Sequence, residues 1–245
     1  MTHNGQSIRG RNHFCGDVLL FMVVLLLAGV LKYHFSRATS DDLSWILRPL
    51  AFAVEKLTAL SFHPESGAGY VSSDGLIIIA PVCAGVNFLI VVLLTGAGTV
   101  IMIPSRFRQK CLRLALVLVT AYLFTLMVNT LRIISAIELY RMDIYGNWFT
   151  AERMHRVAGI LLYFPALLWY SLAFQRLFAG KHSSPIIGCC LFWYLGVSLG
   201  VPLLTGSFQN SGSRFYEHGI AVVILCALFV GGYCWLFSNP NKRDT

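Results

Sequence analysis

Six apolar runs divide this chain, at roughly 18–35, 84–103, 112–136, 156–178, 186–205 and 219–237. A run of about 18–20 apolar residues is what a helix needs to cross the hydrocarbon of a bilayer. Inside lipid, every backbone N–H and C=O must be paired within the segment, so such runs have few options besides helices. The rest of the composition agrees. Hydrophobic residues make up 56% of the chain and charged residues 12%, against about 25% charged in an ordinary soluble domain. Mean hydropathy is +0.68. The expected fold is an all-α polytopic membrane protein, a single domain over residues 1–245.

The net charge of +8 is a topology signal. Lys and Arg gather in short segments: Arg9 and Arg11; Arg106, Arg108, Lys110 and Arg113; Arg176 and Lys181; Lys242 and Arg243. With six spans these segments all fall on one side, which the positive-inside rule makes the cytoplasm. Every acidic residue except Asp17 and Asp244 lies in the other set of segments. No basic patch is interleaved with aromatics, so nucleic acid is not an expected partner. Both termini are expected to be cytoplasmic, in an inner (cytoplasmic) cell membrane. Lys32-Tyr33-His34-Phe35 follows the first run instead of a small-residue cleavage site, so that run reads as an uncleaved anchor.

Two segments between the first and second runs need separate treatment. From Asp42 to Phe62 the residues Leu43, Ile46, Leu47, Leu50, Val54, Leu57 and Ser61 follow a helical rhythm, with Arg48 and Glu55 on another face. Counting this segment as a span would put the Arg106–Arg113 cluster outside, so it is expected to be an amphipathic helix on the outer leaflet. From Gly69 to Ala80, Asp74-Gly75 separates β-branched and aromatic runs, which predicts a short extracytoplasmic hairpin leading to Pro81. Gly196 and Gly200, and Gly96 and Gly98, are expected to serve close helix packing.

Three side chains carry the possible chemistry. Cys83, in Ala80-Pro81-Val82-Cys83-Ala84-Gly85, is expected at the start of the second span, where helix N–H groups favour a thiolate and a developing oxyanion. Of the seven cysteines only Cys83 falls at the outer boundary; Cys15 and Cys111 lie at cytoplasmic helix ends, and Cys189, Cys190, Cys226 and Cys234 lie in apolar runs. Their spacing suggests no disulfide framework and no metal site, and no cofactor is expected. Arg132 stands about 27 Å along the third span counted from Leu114, at the same boundary. A guanidinium within a span costs at least about 2.5 kcal/mol, so it usually faces a polar site. Asn129, three residues earlier, shares its face. His155 begins the fourth span, and imidazole exchanges protons near neutral pH. His34, His63 and His218 have no motif around them. A thiol, a cation and a proton carrier at one boundary fit nucleophilic acyl chemistry.

At these residues the chain resembles the exosortase/archaeosortase family of polytopic membrane cysteine transpeptidases. The resemblance rests on Cys83-Ala84-Gly85, Asn129-Thr130-Leu131-Arg132 and Met154-His155-Arg156-Val157-Ala158-Gly159, in the family's order. It covers roughly residues 16–180, leaving 185–238 as an additional pair of membrane helices. Ala84 stands where the family commonly has Ser, which bears on substrate preference. The resemblance implies catalytic Cys83, Arg132 and His155, supported by Asn129, Ala84 and Gly85. It also implies secreted protein substrates bearing a C-terminal motif, one membrane helix and a basic tail. Cleavage would pass through an acyl-thioester to an unspecified acceptor, on the extracytoplasmic face. The residues alone leave two alternatives: a non-catalytic transporter or assembly scaffold with Arg132 binding an anion, and a lipid-directed acyltransferase using the same thiol.

Overall fold

The computed structural model describes residues 4–142, 150–179, 185–204 and 213–238. The side chains of Arg9, Arg11, Cys15, Glu152, His155 and Cys234 lie outside this description, as do residues Lys181, Lys242 and Arg243. Eight α-helices and one small sheet are described. Helix α1 (Asn4–Arg37) is followed by α2 (Ser44–Leu57), then by strands β1 (Phe62–Glu65), β2 (Gly69–Ser72) and β3 (Ile78–Ile79). A single 3-10 turn, Pro81–Cys83, leads into α3 (Val86–Met102), α4 (Phe107–Arg141) and α5 (Ala151–Ala179). The chain ends with α6 (Pro185–Leu195), a π-helical turn (Gly196–Gly200), α7 (Val201–Leu204) and α8 (Ser213–Ser238). Six helical segments are long and apolar enough to cross a membrane, and they match the six runs of the sequence.

Helix α3 is the axis of the bundle. It packs against α1, α4, α5 and α6, and its side chains from Phe88 to Val100 are all buried. Two glycines make that closeness possible. A Cβ at Gly96 would stand 2.8 Å from Val117 of α4, and one at Gly98 would stand 3.1 Å from the Cys189 sulfur of α6. Close packing was the expectation there, and the backbones do approach. The expectation fails at Gly196 and Gly200, where a Cβ would meet nothing within 4 Å. These two residues bracket the π-helical turn that interrupts the fifth run. Glycine is a weak helix former, so a run bounded by two of them widens at low cost.

The segment before the second run also differs from expectation. Helix α2 stops at Leu57, not near Phe62, because Thr58 turns extended while its backbone N–H and hydroxyl both donate to the Val54 carbonyl. Its apolar stripe of Ile46, Leu47, Leu50, Ala51 and Val54 is buried, packed on α4 and the sheet. Tyr122 of α4 fixes it further by donating to the Trp45 carbonyl at 2.7 Å. The amphipathic face therefore serves protein packing, and Phe52 and Leu57 lie exposed on the other side.

The hairpin forms as β2 and β3, paired antiparallel through Tyr70–Ile79 and Val71–Ile78. Gly75 takes φ +72° in the turn. Asp74 organises it, accepting from the Ser72 hydroxyl at 2.5 Å and the Leu76 N–H at 3.1 Å. Those bonds hold its carboxyl below the usual carboxylate range. The third strand, β1, was not expected. Pro64 sits in it at the sheet edge, the one place in a sheet where a missing N–H is tolerated. Glu55 of α2 accepts from the Phe62 N–H at 2.6 Å and sets the strand's start. The sheet packs on α2 and delivers the chain to Cys83 through the 3-10 turn.

Candidate active site

At the sheet end of the bundle, four polar groups from three segments form one hydrogen-bonded node. Arg132 on α4 donates through Nη1 to the Tyr163 hydroxyl of α5 at 2.8 Å. The Tyr163 hydroxyl donates in turn to Asn129 Oδ1 at 2.6 Å. With its oxygen so engaged, the Asn129 amide points its Nδ2 toward Cys83, whose carbonyl accepts at 2.5 Å. Arg132 Nη1 also reaches Asn129 Oδ1 at 3.3 Å. Every donor and acceptor in this chain has a defined direction, so the node fixes the orientation of all four groups. Asn129 is fully buried and Arg132 is 9% exposed, which makes the fixed geometry costly to break.

Local sequence explains how the node forms. Asn129 and Arg132 are three apart on α4 and share a face. Gly159 and Tyr163 are four apart on α5, and the missing side chain at Gly159 leaves room for Arg132, whose Nε would lie 3.6 Å from a Cβ there. The Tyr163 ring stacks on Phe88 of α3, with centroids 4.3 Å apart and planes 10° from parallel. The Arg132 guanidinium lies 5.4 Å from the same ring centre. Position 155 is one turn before Gly159 on α5, and the His155 side chain is outside the described residues.

The expected setting of Cys83 is corrected. Cys83 closes the 3-10 turn, and α3 begins only at Val86, because Gly85 between them adopts φ +73°. Only glycine enters that conformation cheaply. A Cβ at Gly85 would also stand 2.8 Å from Asn129 Nδ2, so the residue answers to two constraints at once. Cys83 is half-buried and carries a free thiol. Ala84 is fully buried in the core. A side chain at position 84 therefore packs inward, and the hydroxyl of a serine there would face the core.

A cavity of about 250 Å³ opens beside the node. Val82 and Gly85 line it on either side of Cys83 and Ala84, although those two residues do not line it themselves. Val86, Asn87 and Phe88, the first turn of α3, form part of its wall; the N–H groups of a first helical turn have no partner within the helix. Arg132, Gly159 and Tyr163 line it from α4 and α5. Among the further polar residues in the wall, Tyr163, Lys32 on α1, Tyr194 on α6 and His218 on α8 were not singled out from sequence. Tyr163 shares a helix face with Gly159, a spacing visible in the sequence, but a tyrosine in an apolar run reads first as packing. His218 has no motif around it at all.

Comparison of the chain with protein-family models, with curated proteins and with solved structures gives no match. The functional reading therefore rests on the geometry together with the resemblance carried by Cys83, Asn129, Arg132 and His155.

Proposed function

We propose that the protein is an exosortase-like membrane cysteine peptidase or transpeptidase. In this reading its six apolar helices span the cytoplasmic membrane with the sheet end outside and both termini within. The observation that carries the reading is the node itself, in which a buried arginine, a tyrosine and an asparagine hold the backbone of a free cysteine whose neighbours Val82 and Gly85 line a cavity. Arg132 orients Tyr163 and Asn129, and Asn129 in turn holds the Cys83 carbonyl, an investment in buried polarity that a cysteine of purely structural use does not need. Charge supports the sidedness: Asp41, Asp42, Glu55, Glu65, Asp74 and Glu138 gather at the sheet end, while Arg106 and Arg108 are exposed at the other.

The substrate is then a secreted protein held by its own C-terminal membrane helix, which places its cleavage segment at the depth of Cys83. The Cys83 thiolate attacks the scissile carbonyl carbon. The carbonyl pair moves to oxygen, and the first-turn N–H groups of α3 stabilise the oxyanion together with Arg132. Collapse breaks the C–N bond, the leaving amine takes a proton, and an acyl-thioester remains on Cys83. His155 and Arg132 share the charge and proton-transfer duties. An amine, hydroxyl or water then attacks the thioester and restores the thiol.

Co-expression with a secreted protein carrying such a C-terminal signal tests the proposal. Cys83→Ala and Cys83→Ser should each lower cleavage by at least about a thousandfold, with membrane insertion unchanged. Wild-type cleavage by Cys83→Ala would end the enzymatic reading. Mass measurement of the adduct on Cys83 separates the alternatives, since a peptide supports the proposal, a fatty acyl group indicates a lipid acyltransferase, and no adduct indicates a binding protein.

A further inference from the structure

The order β1-β2-β3 leaves the sheet two edges, and the chain treats them differently. An unpaired edge is a template for another extended chain, so proteins usually block it. On β2 the Ser72 N–H donates to the Ile77 carbonyl at 2.9 Å. Hydrogen-bonding direction alternates along a strand. Val71 therefore turns its N–H and C=O toward β1, and Ile78, which stands opposite it on β3, turns both away from β2. The same alternation leaves Phe62 and Pro64 facing outward on β1. Both are blocked. The Phe62 N–H donates to Glu55 at 2.6 Å, and Pro64 has no N–H to offer.

The β3 edge carries no such device. Ile79 faces inward, its carbonyl so near Gly69 of β2 that a Cβ there would collide with it. Ile78 and Ala80 therefore face outward, and Ala80 is still extended, at φ −82° and ψ 169°. The Ala80 carbonyl accepts from the Cys83 N–H at 2.8 Å. That leaves the Ile78 N–H and C=O and the Ala80 N–H without a partner among the described residues. A parallel strand uses such a set, because it bonds the N–H and C=O of one residue and the N–H two places on. Apolar side chains accompany these groups. Leu76, Ile78 and Val82 are exposed, and neither a charge nor a proline stands between Gly75 and Pro81. The edge is continuous along the backbone with Cys83, at most about 14 Å from Ile78 when extended and 3-10 rises are added.

We propose that this edge is the docking strand for the substrate's cleavage segment, which adds to β3 as a fourth, parallel strand and is thereby led to Cys83. The inference rests on the peptidase reading above and says how its substrate is held. Direction follows from the order of elements. Strand β3 leads into the apolar helix α3, and the proposed substrate likewise passes from an extended segment into an apolar helix. Backbone bonds supply the hold, and an apolar side chain set against Ile78, about four residues ahead of the cut, supplies selectivity.

The test uses the purified full-length protein in detergent and a reporter: a secreted domain followed by an extended signal segment, one apolar helix and a basic tail. Ile78→Pro removes an outward N–H and leaves the β2–β3 bonds in place. It should raise KM about tenfold, the weight of one lost hydrogen bond. Its kcat, unfolding midpoint and rate of Cys83 alkylation should stay as they are. Ile78→Val keeps the N–H and should stay within about twofold of the parent. The photoreactive residue p-benzoylphenylalanine, placed at Leu76 in Cys83→Ala protein, should cross-link the reporter ahead of its helix. The same probe at Glu65, on the blocked edge, should not. If Ile78→Pro does not fold, a proline scan of the reporter replaces it and should raise KM about four residues ahead of the cut. Unchanged KM in Ile78→Pro, or a flat proline scan, overturns the docking strand and leaves the peptidase standing. Loss of kcat and of Cys83 alkylation together assigns Ile78 to the turn's own structure and overturns it too. Cross-linking of the reporter at Leu76 without cleavage by the parent protein keeps the docking strand and removes the peptidase. Cross-links only to lipid or to a second copy of the chain overturn the docking strand.

Discussion

The two ends of the bundle each bury a cation, and they treat it differently. At the far end Lys110, 5% exposed, donates to Asp17 at 2.6 Å and to the Ile101 carbonyl at 3.2 Å. A carboxylate neutralises it and a backbone oxygen accepts a second N–H, so the group closes α1 onto the α3–α4 turn. At the sheet end Arg132 donates to a phenol and shares an amide oxygen. A cavity opens beside these two bonds. A cation seated on a carboxylate closes one helix onto its neighbours, whereas one that donates to an amide and a phenol beside a cavity orders the groups around it. The contrast separates structural from functional polarity in a chain whose apolar runs make every polar residue conspicuous.

The sharpest way to break this contrast is Tyr163→Phe. It keeps the ring stacked on Phe88 and removes only the hydroxyl that joins Arg132 to Asn129. If the node positions Cys83 for attack, cleavage should fall about ten- to hundredfold, since small displacements of reacting groups carry penalties of that size. Stability should drop by only about 1–2 kcal/mol, the cost of lost buried hydrogen bonds. Cleavage rates beside thermal unfolding in detergent check both. A rate that falls only in step with stability would make the node another fastening.

How much of this was legible in the sequence differs between the same two regions. The six helices follow from run length alone, because hydrocarbon permits few other backbones. Asn129 and Arg132 could be paired from their spacing, and the β2–β3 hairpin from Asp74-Gly75. The start of α3 could not be placed: Ala84 and Gly85 are compatible with a helical first turn, and only packing against Asn129 forces Gly85 left-handed. Strand β1 was hidden because its pairing with β2 is a tertiary event and Pro64 argues against a strand. Tyr163, Lys32 and His218 were hidden for a related reason. Their helices converge on the cavity from positions far apart in the chain, and no local pattern encodes that convergence.

Gly85→Ala examines the joint between Cys83 and α3. The substitution asks an L-residue to adopt φ +73° and places a methyl group within 3 Å of Asn129. Together the backbone strain and the overpacking should cost about 3 kcal/mol, read as a lowered unfolding midpoint. Thiol labelling of Cys83 should change in rate as its carbonyl loses Asn129. Unchanged labelling with unchanged stability would mean that the 3-10 turn is not anchored by the node. At the far end, Lys110→Met should cost about 2 kcal/mol by stranding Asp17, and Lys110→Met with Asp17→Leu should recover most of it. Cleavage should be the same in both. A matching loss of activity would show the two ends to be coupled.

The smallest expected effect lies in the hairpin that leads to Cys83. Asp74 is fully exposed, and its carboxyl is held low first by the Ser72 hydroxyl and then by the Leu76 N–H. Because folding lowers its pKa, the ionised group's contribution to the turn is complete above the unfolded value of about 3.9. It is lost as pH falls through the lower folded value. Amide exchange at Ile77, whose N–H donates to Ser72 Oγ at 2.9 Å, reports on the turn. Relative to Asp74→Asn at each pH, wild-type protection should be higher at pH 6 and should converge on the variant below pH 3. Parallel behaviour at all pH values would remove Asp74 from the turn's stability.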